Sequence, residues 1–214
     1  GQDGAFAQID NISLCSAQND LRVTSVLAGD ILNDYAYTQI PLSQATEVIA
    51  GTIFSNVGGT ELTDISVESE TFSFVNNGNV SIGTVPGPVS LSPGDVDTVW
   101  VATGFVPPIL DTLAQIFTVT ANETDVTPAD NQDLAFLIMT EDTWAHDYET
   151  EDYFAQGYES TDAIASQGFE MGASYFCQTS GGTIYAVDFA LGSATTAQTV
   201  TVNIYENSLL TGLV

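Results

Sequence analysis

Residues 54–67 read FSNVGGTELTDISV. The stretch closes one apolar run, turns through Asn56, Val57, Gly58 and Gly59, and opens a second run in which Ile65 and Val67 alternate with Asp64, Ser66 and Glu68. Alternation at period two marks a half-buried β-strand, and Asn and Gly supply the backbone freedom of a tight connection. The residues before the turn, 48–54, are almost continuously apolar, which suits a central strand covered on both faces.

Working outward, the same grammar repeats. Leu21, Val23, Ser25 and Leu27 share one face of an earlier strand, and 72–75, 96–102, 113–121 and 134–139 are further segments rich in β-branched or aromatic residues. Between them lie Asn76-Asn77-Gly78-Asn79, Pro86-Gly87-Pro88, Ser92-Pro93-Gly94-Asp95 and Pro107-Pro108, all of turn chemistry. No long segment carries helical periodicity. About seven strands separated in this way describe an immunoglobulin-like β-sandwich, expected over residues 19–141.

The flanks differ. Residues 5–15, AFAQIDNISLC, read as one isolated strand, which cannot bury both faces without a sheet. Residues 142–214 offer strands at 168–177, 183–189 and 199–205 and then stop. Both ends are expected to be parts of larger domains. The strand at 5–15 is expected to lie in a sheet, against residues 183–205 or against a partner chain.

Charge narrows the function. The chain of 214 residues has 28 Asp and Glu against one basic residue, Arg22, for a formal net charge of -27. Nucleic acids and anionic membranes are recognised through Lys and Arg, so neither is a partner. Charged residues are only 14% of the chain and hydrophobic ones 44%, which places the acidity on a folded surface rather than in a disordered tail. Saline or calcium-rich surroundings suit such a surface, because ions screen its self-repulsion. Cys15 and Cys177 are the two cysteines; a whole domain separates them in sequence, and no bond between them is expected.

Catalytic constellations are scarce. The single histidine, His146, and Cys177 form no recognisable nucleophile pair, and G-x-S-x-G, H-E-x-x-H, phosphate-loop and C-x-x-C patterns are absent from the sequence. The chain is therefore expected not to be an enzyme.

Binding chemistry is more plentiful. Glu141, Asp142, Asp147, Glu149, Glu151 and Asp152 cluster at the expected junction with the following module. Calcium takes six to eight oxygen ligands, so this cluster is the leading candidate to hold Ca2+, the one cofactor considered; Asp125, Asp130 and Asp133 in a loop are a weaker one. A solvated acidic loop is the plain alternative. Trp144, Tyr148 and Tyr153 crowd the same junction and could stack on sugar rings, although packing in the core of the third module explains them more simply. Sequons begin at Asn11, Asn79 and Asn122, and the tripeptides Asp97-Thr98-Val99 and Asp111-Thr112-Leu113 make Thr98 and Thr112 candidate O-glycosylation sites.

The central segment resembles immunoglobulin-like modules of the CARDB type. NDLRVTSV (19–26) opens it, FSNVGGTELTDISV carries its Asn-x-Gly turn, LSPGDVDTVW (91–100) its Pro-Gly-acidic turn, and TPADNQDLAFLI (127–138) its closing strand. AFAQIDNISLC is similar to the last strand of the MAM-related jelly-roll domains that precede such modules in cargo of the type IX secretion system. TWAHDYETEDYFAQG (143–157), GGTIYAVDFALG (181–192) and TVTVNIYEN (199–207) look like the start of another jelly roll. The resemblance implies an all-β chain: 1–18 the terminal strand of a jelly roll, 19–141 the immunoglobulin-like sandwich, and 142–214 the start of a second, incomplete jelly roll. It also implies a non-catalytic structural or adhesive role in a large secreted or cell-surface bacterial protein, with neighbouring modules or copies, glycans or a cell surface as partners. Two other readings stand beside it: accessory, glycan-binding modules of a secreted peptidase or polysaccharide-degrading enzyme, and a subunit of an extracellular filament assembled by strand exchange.

Overall fold

The structure, a computed structural model, describes residues 17–28, 37–145, 183–187 and 201–204. The chain divides into two compact units, Gly1–Tyr148 and Glu149–Val214.

In the first unit the expected strands assemble into two sheets. Strand β1 (Leu21–Leu27) pairs with β3 (Ile49–Asn56), which pairs with β8 (Val96–Ala102), all antiparallel. The second sheet runs β2 (Gln39–Pro41), β10 (Gln132–Thr140), β9 (Asp111–Thr120), β5 (Ser66–Ser73), β6 (Gly78–Pro86). The short β2 joins β10 in parallel, whereas the other pairs of this sheet are antiparallel. The two-residue strands β4 (Leu62–Thr63) and β7 (Ser90–Leu91) pair with each other. The described fold is all-β, an immunoglobulin-like sandwich of two facing sheets.

Alternation decides which side chains enter the core. On β9, Asp111, Leu113, Gln115, Phe117 and Val119 are buried at every second position, and the register sets Ser73, Thr71, Ser69 and Val67 of β5 beside the last four in turn. Leu21, Val23, Phe54, Val67, Phe117 and Val119 belong to one apolar cluster, and Val48, Leu113, Leu137 and Met139 to another. Each large side chain in them gains roughly 1.5–3 kcal/mol from burial. Gln115 sits between the two clusters, and its Oε1 accepts a 3.0 Å hydrogen bond from Thr71 Oγ1. A polar seam thus crosses the interior.

The turns follow their residue chemistry. Asn56, fully buried, accepts from Gly58 N–H through Oδ1 and donates through Nδ2 to the carbonyls of Thr60 and Leu91, both at 2.8 Å. Asp95 Oδ2 accepts from Ser92 N–H at 3.2 Å, and Gly94 adopts a φ of 86°.

Three expectations need correction. Residues 65–68 and 72–75 are not separate strands: Ser66–Ser73 is one continuous β5, because the polar Ser69 and Thr71 point inward to the seam and interrupt the apolar pattern. No strand is expected at 78–86, yet β6 lies there, at the edge of its sheet among the described residues, with the small Ser81 and Gly83 and Val85 at its inward positions. Residues 183–187 and 201–204, expected in strands, form none among the described residues and are exposed. The strand expected at 5–15, the one at 168–177, Cys15, His146 and Cys177 all lie outside the described residues, as does most of each expected jelly-roll flank. Among the described residues no helix is long and apolar enough to cross a membrane.

Candidate functional site

At one end of the sandwich the entry to β1 meets the connection from β9 to β10. Asp20 immediately precedes β1, and its carbonyl accepts from Val57 N–H and Gly58 N–H at 2.9 and 3.1 Å, fixing it to the Asn56 turn. Asp125 and Asp130 come from the β9–β10 connection, Asp130 at the end of a single 3-10 turn, Pro128–Asp130. Asn19 ties the two strands of chain together: its Nδ2 donates to the Thr124 carbonyl at 3.1 Å and its own carbonyl accepts from Val126 N–H at 3.0 Å.

These ties bring one carboxylate oxygen each of Asp20, Asp125 and Asp130 within 4.8 Å of one another. Asp125 is oriented by two backbone amides, Leu21 N–H to Oδ2 at 2.7 Å and Thr127 N–H to Oδ1 at 2.6 Å. Asp130 Oδ2 accepts from Arg22 Nε at 2.9 Å, so the one basic residue of the chain leans on this cluster. Asp20 Oδ1 and Asp130 Oδ1 are buried and accept no hydrogen bond.

Electrostatics record the crowding. Burial first, and then repulsion from Asp130 and Asp125, raises the Asp20 carboxyl above the ordinary carboxylate range, with Arg22 offsetting only part. Its hydrogen bond to Asp130 raises the Arg22 guanidinium further. Nearby, Glu123 is held below its ordinary value by hydrogen bonds from the Thr63 hydroxyl at 2.7 Å and the Thr63 amide at 2.8 Å. Three converging carboxylates with unfilled acceptor positions could hold a metal ion of the hard, oxygen-preferring kind.

Sequence reasoning named Asp125 and Asp130 but missed Asp20, which topology alone brings to them across more than a hundred residues. Asp133 stands apart, exposed, with Oδ1 accepting from Leu134 N–H at 2.8 Å. Of the junction cluster, Glu141 and Asp142 are exposed; Asp147, Glu149, Glu151 and Asp152 lie outside the described residues, as do Tyr148 and Tyr153. Trp144 packs against the buried Tyr37, with ring centroids 5.7 Å apart. Thr98 is exposed on β8, and Thr112 is half-buried on β9.

No family model matches the chain, and no curated protein matches it. Among solved structures, the CARDB domain of a Pyrococcus furiosus protein, solved in complex with di-metal ions, is similar at 14% identity and a TM-score of 0.40, covering 63% of this chain and 100% of that one. A domain of a candidate cell-surface protein from Methanosarcina acetivorans is similar at 15% identity and a TM-score of 0.36, covering 62% of this chain and 99% of that one. A β-glucosidase from Erythrobacter marinus is similar at 12% identity and a TM-score of 0.35 over 57% of this chain and 16% of its own.

Proposed function

We propose that the sandwich is a non-catalytic structural or adhesive module of a large secreted or cell-surface protein, outside the cell, and that calcium bound by Asp20, Asp125 and Asp130 stiffens the end where the chain enters it. The observation that carries the calcium reading is the pair of buried, unsatisfied oxygens on Asp20 and Asp130 beside a third carboxylate. Buried acceptors without donors cost free energy, and a divalent cation would satisfy both while removing the repulsion. Water and backbone carbonyls would complete a coordination shell that three carboxylates cannot fill. The non-catalytic reading is supported by the sequence, which has one histidine and one basic residue to offer any chemistry.

The flanking segments 1–18 and 142–214 fit this picture as parts of neighbouring jelly-roll modules in type IX secretion cargo, a reading supported by their motifs alone. The junction cluster around Glu149 and Asp152 is a second candidate for calcium, and Thr98 and Thr112 are candidate glycosylation positions. Isothermal titration of the chelated chain with calcium separates the two metal candidates. Heat that vanishes in Asp20→Asn and persists in the double variant Glu149→Gln, Asp152→Asn assigns the ion to the triad. The reverse pattern assigns it to the junction, and no heat with any of the proteins removes calcium from the account.

A further inference from the structure

Strands β6 and β8 are edges of opposite sheets, and between them the sandwich stays open. Among the described residues each pairs on one side only, β6 with β5 and β8 with β3. The strand that could cover β8, β7, is only two residues long and pairs with β4 instead. A cavity of about 290 Å³ fills the gap, lined by Glu47, Ser69, Ser81, Gly83, Val101 and Thr103 among others. Ser81 Oγ donates to the Thr103 carbonyl at 2.6 Å and clamps the two sheets beside it.

Three features of this cleft lack a structural reason. Ser69 faces the cavity, is 3% exposed, and its Oγ has no hydrogen-bond partner; Gln115 Nε2, on the neighbouring strand, is fully buried and equally unpartnered. Gly83 occupies an inward position of β6 opposite Ser69, with no heavy atom within 4 Å of where a Cβ would stand and no left-handed φ to demand glycine. Glycine weakens a strand interior and marks places where a ligand or another backbone comes close. Finally, the residues of β6 carry no charge, and β8 carries only Asp97, in a chain of net charge -27. Natural edge strands are normally defended by charge against pairing with other chains.

The geometry points to a binding site for an extended polypeptide segment of another protein, which pairs with the free edge of β8 and places a small hydrogen-bonding side chain in the cavity over Gly83 and Ser69. An amide or hydroxyl group there would satisfy the Ser69 hydroxyl and reach toward Gln115, while backbone pairing would supply most of the affinity. The segment carries no acidic residue at its centre, because Glu47 lines the cavity and the chain as a whole has a net charge of -27. The same charge argues against a second copy of this chain as the occupant. The inference rests on the adhesive reading and deepens it by naming the class of partner; it is independent of calcium at the Asp20 end.

The test pans the immobilised 214-residue chain against displayed random twelve-residue peptides, with a neutral glycan array in parallel. The expected result is recovery of peptides with uncharged or basic centres whose binding slows amide exchange across 96–102. Gly83→Leu should fill the cleft, melt no lower than the wild type, and weaken the peptide by about tenfold or more. Ser69→Ala should weaken it too and gives a second readout if Gly83→Leu folds poorly. The proposal is overturned if no peptide is recovered, if both variants bind as the wild type does, if a glycan takes the Gly83-dependent site, or if the chain itself associates through it. Structural spacing would survive any of these outcomes, whereas calcium-independent melting would count against the metal reading alone.

Discussion

The indole of Trp100 lies directly over Gly51, its partner across the β3–β8 pair, so closely that a Cβ built on Gly51 would run into the ring. Gly51 is buried under it while Trp100 remains 42% exposed. A flat aromatic thus caps the bare backbone of the central strand of its sheet.

Gly51→Ala should therefore displace the indole or bend β3. The expected cost is about 1–3 kcal/mol, as for other overpacked sites, with a red shift of the tryptophan emission as Trp100 moves into water. Urea denaturation followed by fluorescence reads both; an unchanged midpoint and spectrum would mean that the ring does not rest on Gly51.

Asn56 supports three loop groups with one buried side chain. Its replacement in Asn56→Ala leaves the carbonyls of Thr60 and Leu91 and the amide of Gly58 without that partner. A loss of about 2–4 kcal/mol is expected from several unsatisfied groups at roughly 1–3 kcal/mol each, partly relieved by water. Chemical denaturation measures it, and a loss under about 0.5 kcal/mol, the range of an ordinary surface substitution, would contradict the role.

Acidic pH should act on two carboxylates in opposite senses. Glu123 is lowered from 4.5, so its contribution to stability is present above that value and is lost as pH falls through its folded pKa. Asp20 is raised from 3.8, so the folded state favours its protonated form; that advantage is full below 3.8 and disappears as pH rises through the raised value. In chelator, Glu123→Gln should flatten the fall in stability on the acid side of 4.5. Asp20→Asn should raise stability above the Asp20 pKa and change little below 3.8. Melting curves at a series of pH values check both signs.

Much of the sandwich was legible because alternation and turn chemistry agreed. Residues 96–102 were read with the bounds that β8 has, since Ser92 to Asp95 announce its start and the run of β-branched residues defines it. Strand β6 was not legible: its inward side chains are Ser81 and Gly83, chosen by the open cleft they face, so it lacks an apolar stripe. The polar inward face of β5 hid its continuity for a related reason, a hydrogen-bonded seam in place of a hydrophobic one. The metal candidate was half legible. Asp125 and Asp130 share a loop, while Asp20 joins them through sheet topology that no local pattern encodes.

The most direct test of the account compares melting of the wild type and Asp20→Asn in chelator and in calcium at constant ionic strength. At a calcium concentration of about a hundred times Kd, binding stabilises by roughly 2.7 kcal/mol, which for a chain of this size shifts Tm by about 5–10 °C. The predicted result is that shift in the wild type and none in Asp20→Asn, with the variant the more stable of the two in chelator because a buried, repelled carboxylate is gone. Equal melting of the wild type in calcium and chelator, or a calcium shift that persists in Asp20→Asn, would contradict it.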